Sequence, residues 1–159
     1  MLAACHDRVR RSLTLLDKLI DHIGRHGHDA QSRSAAADVL RYFDLAAPLH
    51  HEDEELNVFP VLLAQPDAAM QAVVASLRRD HQQMSALWAA VREPLGRWRR
   101  LDASGGIDEQ TRSTVASFRA IYATHLEAEE GVAFPAARAL MDPAAQRAIG
   151  RQMQARRHA

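Results

Sequence analysis

Six residues with metal-binding side chains stand where a helical pattern calls for apolar ones. Four are histidines and two are glutamates: His6, His50, Glu54, His81, His125 and Glu129. Imidazole nitrogens and carboxylate oxygens together are suitable ligands for iron, manganese or zinc. Burying such groups without partners is costly, and a bound cation removes that cost. The set therefore predicts a metal site in the protein interior.

Two of the histidines are followed by a glutamate one helical turn later, His50 by Glu54 and His125 by Glu129. Four residues advance about 400° around a helix, so both side chains of each pair face the same way. Four imidazoles and two carboxylates are too many ligands for one tetrahedral zinc ion. They suit two metal ions, with two histidines on each ion and the glutamates bridging them.

The second half of the chain repeats the first at a fixed distance. A shift of 75 residues carries His6 onto His81 and His50 onto His125. The same shift superposes two further features: Glu54 on Glu129, and Phe59-Pro60 on Phe134-Pro135. Two helical hairpins related by an approximate two-fold would bring these residues together. By that symmetry, His6 and His50 would serve one ion, and their two counterparts the other.

A second register is available on the same segment, because His51 and Glu55 also have the His-x-x-x-Glu spacing. The repeat maps His51 onto Leu126, and the helical turn of His51 does not continue an apolar stripe. Both facts favour the register of His50. Four neighbouring glutamates are expected either to be solvated or to orient the ligand imidazoles: Glu52, Glu55, Glu127 and Glu130.

Apolar residues recur at intervals of three and four along four long segments, about 2–23, 40–61, 70–98 and 115–132. Asp142 and Pro143 are the expected cap and first residue of a short fifth helix. We therefore predict an all-α fold, an up-down-up-down antiparallel four-helix bundle. A single domain of residues 1–159 would hold the bundle over about 1–140 and a short C-terminal helix over about 142–156.

Two prolines fall on the second of these segments. An interior proline lacks the backbone N–H and clashes with the carbonyl four residues earlier. We expect Pro48 to kink the helix and Pro60 to mark its last turn.

The composition is that of an ordinary globular protein, with 47% hydrophobic and 25% charged residues. The formal net charge is zero, which argues against nucleic acid and anionic membranes as partners. The single cysteine, Cys5, excludes an internal disulfide framework. The first residues show no apolar leader, so a cytoplasmic location is expected. A solvated helix face is expected for the basic C-terminal residues Arg147, Arg151, Arg156 and Arg157.

These motifs resemble those of the hemerythrin-like domain of bacterial type, the His-His-Glu cation-binding family. The matching pieces lie within about residues 1–140: Cys5-His6-Asp7-Arg8, His50-His51-Glu52-Asp53-Glu54-Glu55 with Phe59-Pro60, Asp80-His81, and His125-Leu126-Glu127-Ala128-Glu129-Glu130 with Phe134-Pro135. The resemblance implies a four-helix bundle holding two non-haem iron ions, bridged by an oxo or hydroxo group. It assigns the ligand roles to the six residues named at the outset. Zinc or manganese would be substitute ions.

The chain departs from oxygen-carrying hemerythrins on the third helix. Those proteins place a second histidine one turn from the first, whereas the neighbours of His81 here are Leu77 and Ser85. The missing ligand argues against stable, reversible oxygen carriage. The ligand set is similar to that of di-iron proteins that repair iron–sulfur clusters.

Three functions follow as expectations. The first is binding or sensing of O2, peroxide or nitric oxide, or the handling of iron. The second is a di-iron enzyme for peroxide breakdown or iron–sulfur repair. The third is a zinc-stabilised interaction module without redox chemistry.

Tyr122 stands on the core stripe three residues before His125. Its counterpart in the repeat is Ala47, whose small side chain leaves room on one side of the pocket. A phenol in this position would donate a hydrogen bond to a molecule bound at an open metal position. The alternative is a packing role, with the hydroxyl bonded to the backbone or to solvent.

Overall fold

The computed structural model describes residues 2–157, which fold into an all-α bundle as predicted. Five helices occupy the ranges α1 Leu2–His26, α2 30–63, α3 Ala68–Trp98, α4 109–140 and α5 Pro143–Arg156. The first four helices pack around one interior, joined by short connections. Helix α5 lies against α2 through side-chain contacts described below. No helix within residues 2–157 is long and apolar enough to cross a membrane.

Aspartates begin the helices that follow α1. The caps are Asp29, Asp67, Asp108 and Asp142, and each side chain accepts a hydrogen bond from the backbone N–H three residues later. The predicted cap of α5 at Asp142, with Pro143 as first residue, is confirmed. Helix α1 ends at His26, and the φ of 75° at the next residue, Gly27, lies in the left-handed region that favours glycine.

Helices α2 and α4 are not regular α-helices throughout. Helix α2 consists of α-helical segments Ala30–Arg41, Ala47–Asp53 and Phe59–Leu63, separated by π-helical turns Tyr42–Ala46 and Glu54–Val58. Helix α4 consists of Glu109–Ala128 and Phe134–Leu140 around the π-helical turn Glu129–Ala133.

Each π-helical turn ends two residues before a proline, at Pro48, Pro60 and Pro135. The wider turn accommodates a ring that would collide with the carbonyl four residues earlier. The expected kink at Pro48 therefore takes the form of a π-helical turn, after which the helix continues. The prediction that Pro60 lies in the last turn of its helix is confirmed.

The buried apolar residues form two clusters, and a polar layer lies between them along the helices. One cluster includes Met84, Phe118 and Tyr122, and the other includes Phe59 and Leu77. On α3, successive turns place Leu77 in one apolar cluster, His81 in the polar layer and Met84 in the other cluster. Apolar side chains thus close the polar layer above and below.

Candidate metal centre

All six predicted ligands lie in this polar layer. Their exposed fractions range from 0% for His6, Glu54 and Glu129 to 7% for His81. They form two groups of four, in each of which one ligand atom per residue lies within 4.8 Å of the others: His6, His50, Glu54 and Glu129, and Glu54, His81, His125 and Glu129. Both groups contain the same two glutamates, and the histidines divide as the repeat predicted.

The carboxylate of Glu54 faces both groups. Its Oε1 is 3.1 Å from Nε2 of His50, and its Oε2 is 3.4 Å from Nε2 of His81. Each oxygen of this carboxylate is thus directed to a different histidine pair.

Glu129 has the equivalent arrangement. Its Oε2 is 3.1 Å from Nε2 of His6, and its Oε1 is 3.2 Å from Nε2 of His125. With one oxygen toward each histidine pair, both glutamates are placed to bridge two cations.

The π-helical turns of α2 and α4 begin at these two glutamates. In each turn the backbone carbonyl of the glutamate accepts from the N–H of the phenylalanine that precedes the proline. Phe59 then stacks on His81 at 5.7 Å between ring centroids, and Phe134 stacks on His6 at 5.1 Å. The Phe-Pro motif therefore supports a ligand imidazole of the other hairpin, which explains its fixed distance from the ligands.

Three ligand imidazoles are oriented by a carboxylate from another helix. Nδ1 of His6 donates to Glu130 at 2.8 Å. Nδ1 of His81 donates to Glu55 at 3.1 Å, and Nδ1 of His125 donates to Asp80 at 3.2 Å. An ionised carboxylate only accepts, so Nδ1 carries the proton and the lone pair lies on Nε2. In all three residues Nε2 faces the centre. This is the protonation pattern that metal binding requires.

The atoms that face the centre have no other partner. With the proton on Nδ1, Nε2 of His6, His81 and His125 is an acceptor that faces the carboxylate oxygens of Glu54 and Glu129, which are acceptors too. Despite the short separations, no hydrogen bond within residues 2–157 satisfies these atoms. Leaving one buried donor or acceptor unsatisfied costs about 1–3 kcal/mol. A pair of cations would satisfy all of these atoms together, so the donor set fits two metal ions.

The charges in the layer support the same conclusion. Burial, followed by the charge of Glu129, raises the pKa of the Glu54 carboxyl well above its ordinary value. Burial also lowers the pKa of His50 to about 3 and lowers that of His81. The imidazoles of His50 and His81 are thus available as neutral ligands, whereas for His125 burial is outweighed by Glu129 and Asp80, which raise its pKa. A divalent cation between the carboxylates would offset the burial and the mutual repulsion that disfavour ionisation of Glu54.

A family model, the hemerythrin HHE cation-binding domain, matches residues 1–150. The chain belongs to the hemerythrin HHE family. It is also similar to an uncharacterized protein of Haemophilus influenzae, with 36% identity over 91 residues. That alignment covers 57% of this chain and 52% of the relative, so the chain matches about half the length of the relative. Family membership implies that the domain binds a metal cation, typically iron, and the two His/Glu groups could hold such ions.

Two predictions about neighbouring acids of this HHE domain have different outcomes. Glu55 and Glu130 orient imidazoles, whereas Glu52 and Glu127 are exposed. The orienting role of Asp80 was not predicted from the sequence. Asp80 directly precedes His81 in the sequence, but its side chain accepts a hydrogen bond from His125 on α4.

His51 lies closer to the centre of the domain than its sequence position suggested. Its ring stacks on that of His81 at 4.2 Å between centroids and 14° between planes. It belongs to neither ligand group. Burial lowers the pKa of His51 well below its ordinary value, so its ring is neutral. His51 therefore forms part of the wall around the site.

Tyr122 is buried, with 2% of its surface exposed. Its ring packs against Phe43 and Phe118, at 5.6 and 5.1 Å between centroids, and lies 6.1 Å from that of His51. Burial raises the pKa of Tyr122 far above neutrality, so the phenol keeps its proton. The ring is thus part of the core, beside the wall of the site.

The solvated face predicted for the C-terminal arginines is wrong for two of them. Asp53, which is fully buried, accepts from Nε of Arg156 at 2.8 Å and from Nη2 of Arg157 at 2.6 Å. Asp53 directly precedes the ligand Glu54. A buried carboxylate needs a charged partner, and two are supplied here, by the last residue of α5 and by the residue that follows it. The pattern of α5 alone gave no sign of this pairing.

Proposed function

We propose that this HHE domain holds a non-haem di-iron centre and binds or senses O2, peroxide or nitric oxide. The observation that carries the proposal is the pair of ligand groups that share both carboxylates. Glu54 and Glu129 each direct one oxygen to either side. One ion would not use both sides of these carboxylates.

The donor set favours iron. Each ion would receive two imidazole nitrogens and two carboxylate oxygens, a mixed set that suits iron and leaves coordination positions for a small molecule. Bound iron would supply redox activity and an open position. The protein itself contributes a layer closed by apolar clusters, which excludes bulk water. His51 and Tyr122 lie along one side of that layer.

The third helix favours binding or sensing over oxygen transport. One turn before His81 stands Leu77, which is buried in the apolar cluster with Phe59. One turn after it stands Ser85, which is exposed. Neither residue adds an imidazole to the centre. The ligand set is therefore smaller than that of the oxygen carriers.

Metal analysis after anaerobic reconstitution with ferrous iron tests the proposal. We expect two iron atoms per chain and, after oxidation, near-ultraviolet and visible absorption from an oxygen-bridged ferric pair. Glu54→Ala should lower the iron content, because it removes a ligand of both ions. Glu52→Ala is the matched control, since Glu52 is exposed two residues away, and it should retain both ions.

Recovery of one zinc ion and no iron would contradict the proposal and favour the zinc-stabilised interaction module, which would show no visible absorption. Peroxide consumption by the same sample separates the remaining alternatives. A binding or sensing protein should show a spectral change on adding peroxide or nitric oxide without sustained turnover, whereas sustained turnover would indicate the enzyme.

A further inference from the structure

The four ligand imidazoles are not equivalently supported. His6, His81 and His125 each donate Nδ1–H to a carboxylate, as described above. Nδ1 of His50 is buried and has no hydrogen-bond partner among residues 2–157. The exposed fraction of His50 is only 2%, so solvent does not replace the missing carboxylate.

The repeat explains the difference. Under the shift of 75 residues, Glu130 corresponds to Glu55, and these two carboxylates support His6 and His81 in the same way. His125 corresponds to His50, so the partner of His50 should stand 75 residues before Asp80. That position is Cys5. One half of the pseudo-symmetric centre therefore has a buried thiol where the other half has a carboxylate.

The contacts of Cys5 agree with this placement. Its carbonyl oxygen accepts from the hydroxyl of Tyr42 on α2 at 3.4 Å, and its Sγ lies 3.9 Å from Nη2 of Arg157. Arg157 also binds Asp53, three residues after His50. Cys5 thus lies beside the part of α2 that carries His50, but its thiol, a weak acceptor at best, makes no hydrogen bond to that imidazole.

We propose that the exchange of a carboxylate for Cys5 makes the two metal positions unequal. The position of His81 and His125 binds its ion more tightly, and the position of His6 and His50 loses its ion first. Asp80 acts as a positioning residue through His125. This inference rests on the proposed di-nuclear centre and adds an order of occupancy to it.

The physical reason is the effect of a carboxylate on an imidazole ligand. A carboxylate that accepts from Nδ1–H fixes the ring orientation and makes Nε2 a stronger donor. Loss of such a partner typically lowers metal affinity about 10–100-fold. At the tighter position both imidazoles have this support, whereas at the weaker position only His6 has it.

The test is equilibrium removal of ferrous iron from the full-length two-iron protein by a graded series of chelator concentrations under anaerobic conditions. Native mass spectrometry counts the chains with two, one and no ions. We expect a one-iron species over a wide chelator range in the wild type. Cys5→Asp should strengthen retention of the weaker ion, at His6 and His50, about 10–100-fold. The chelator range over which the one-iron species is present should therefore become narrower.

Asp80→Asn provides an independent test, because it removes the charge that supports His125 while leaving every ligand in place. It should weaken retention of the tighter ion by a similar factor, so that both ions leave over nearly the same chelator range. Cys5→Ser is the matched control, since it changes the side chain without adding a carboxylate, and it should behave as the wild type.

Two single-position variants assign the order. His50→Ala should leave one ion that is retained as tightly as the last ion of the wild type, whereas His125→Ala should leave one that is lost early. Simultaneous loss of both ions from the wild type would overturn the inference, as would an unchanged one-iron range in Asp80→Asn. If Cys5→Asp does not fold, Asp80→Asn decides. Failure of the wild type to hold two ions would instead overturn the proposed function.

Discussion

At the scale of single residues, adjacent histidines on α2 should have different effects on metal content. Nε2 of His50 lies 3.1 Å from a bridging carboxylate oxygen, whereas His51 stacks on His81 and belongs to neither ligand group. His50→Ala should therefore lower the iron content by about one ion per chain, and His51→Ala should leave it near the wild-type value. Metal analysis of both purified variants measures this.

Circular dichroism of the same two samples provides the control for folding. If His51→Ala alone removes the metal from a folded chain, the ligand register on α2 is that of His51 and Glu55.

Tyr122 is the second residue whose role can be measured directly. Its phenol stays protonated, so its hydroxyl keeps a proton to donate. If the hydroxyl donates to a bound small molecule, Tyr122→Phe should retain both irons and release nitric oxide about 2- to 10-fold faster, since one hydrogen bond is worth about 0.5–1.5 kcal/mol. Stopped-flow measurement of nitric oxide release gives the rate.

Tyr42→Phe is a matched comparison, because the hydroxyl of Tyr42 donates to the backbone of Cys5 instead. Equal release rates for Tyr122→Phe and the wild type, at equal iron loading, would show that Tyr122 serves packing alone.

At the scale of elements, the pairing of α5 with α2 should contribute measurably to stability. Replacing Arg156 and Arg157 together with alanine leaves Asp53 as an unpaired buried carboxylate. Loss of a buried ion-pair partner costs about 3–5 kcal/mol, and because both arginines are partly exposed we expect about 2–3 kcal/mol here. Urea unfolding of iron-loaded protein measures the difference.

The matched control is the double alanine variant of Arg147 and Arg151, which are exposed on the same helix. It should unfold within about 0.5 kcal/mol of the wild type. Equal effects of the two double variants would show that the basic character of α5, rather than the Asp53 pair, is what matters.

A second contact between elements should give a pH-dependent stability. Asp44, in the first π-helical turn of α2, accepts from Nε1 of Trp88 at 2.9 Å and from Nε of Arg92 at 2.8 Å, both on α3. Burial raises the pKa of Asp44, but these hydrogen bonds outweigh burial and hold it below its ordinary value. The stabilisation is therefore present above the unfolded pKa of about 3.9 and is lost as the pH falls through the folded pKa.

Asp44→Asn should accordingly lower the free energy of unfolding by about 1 kcal/mol at pH 7, a small value because Arg92 is largely exposed. The difference between variant and wild type should shrink as the pH falls below the unfolded pKa of about 3.9 and on through the lower folded pKa. Denaturant unfolding at a series of pH values measures it, and a difference that stays constant with pH would contradict the assignment.

At the scale of the whole molecule, metal removal should destabilise the bundle. Without cations the polar layer holds two carboxylates and three imidazoles, those of His6, His81 and His125, whose inward atoms lack partners. Those groups must then protonate, hydrate or move apart. An ion at 1,000 times its dissociation constant stabilises by about 4 kcal/mol, which corresponds to a melting temperature about 10 °C higher. Calorimetry with and without chelator measures this shift.

Glu54→Ala, which removes a ligand of both ions, is the control, and its melting temperature should respond little to chelator. A chelated wild-type protein that melts at the metal-loaded temperature would show that the six groups satisfy one another.

The sequence alone was sufficient for the helices and for the choice of the six interior polar residues. An amphipathic helix shows its buried face as a local period of three to four residues, and a histidine or glutamate on that face is visible without knowledge of its neighbours. The repeat then related His6 to His81 and Glu54 to Glu129. Local periodicity and internal symmetry therefore determined which residues converge.

Only the tertiary structure decided how the helices support those residues. Asp80 lies beside His81 in the chain but orients His125 on α4, and Asp53 on α2 pairs with Arg157, just beyond the last residue of α5. Such contacts depend on the rotation and axial position of one helix relative to another, which no local period encodes. The same dependence placed His51 against the site and left Nδ1 of His50 without a carboxylate.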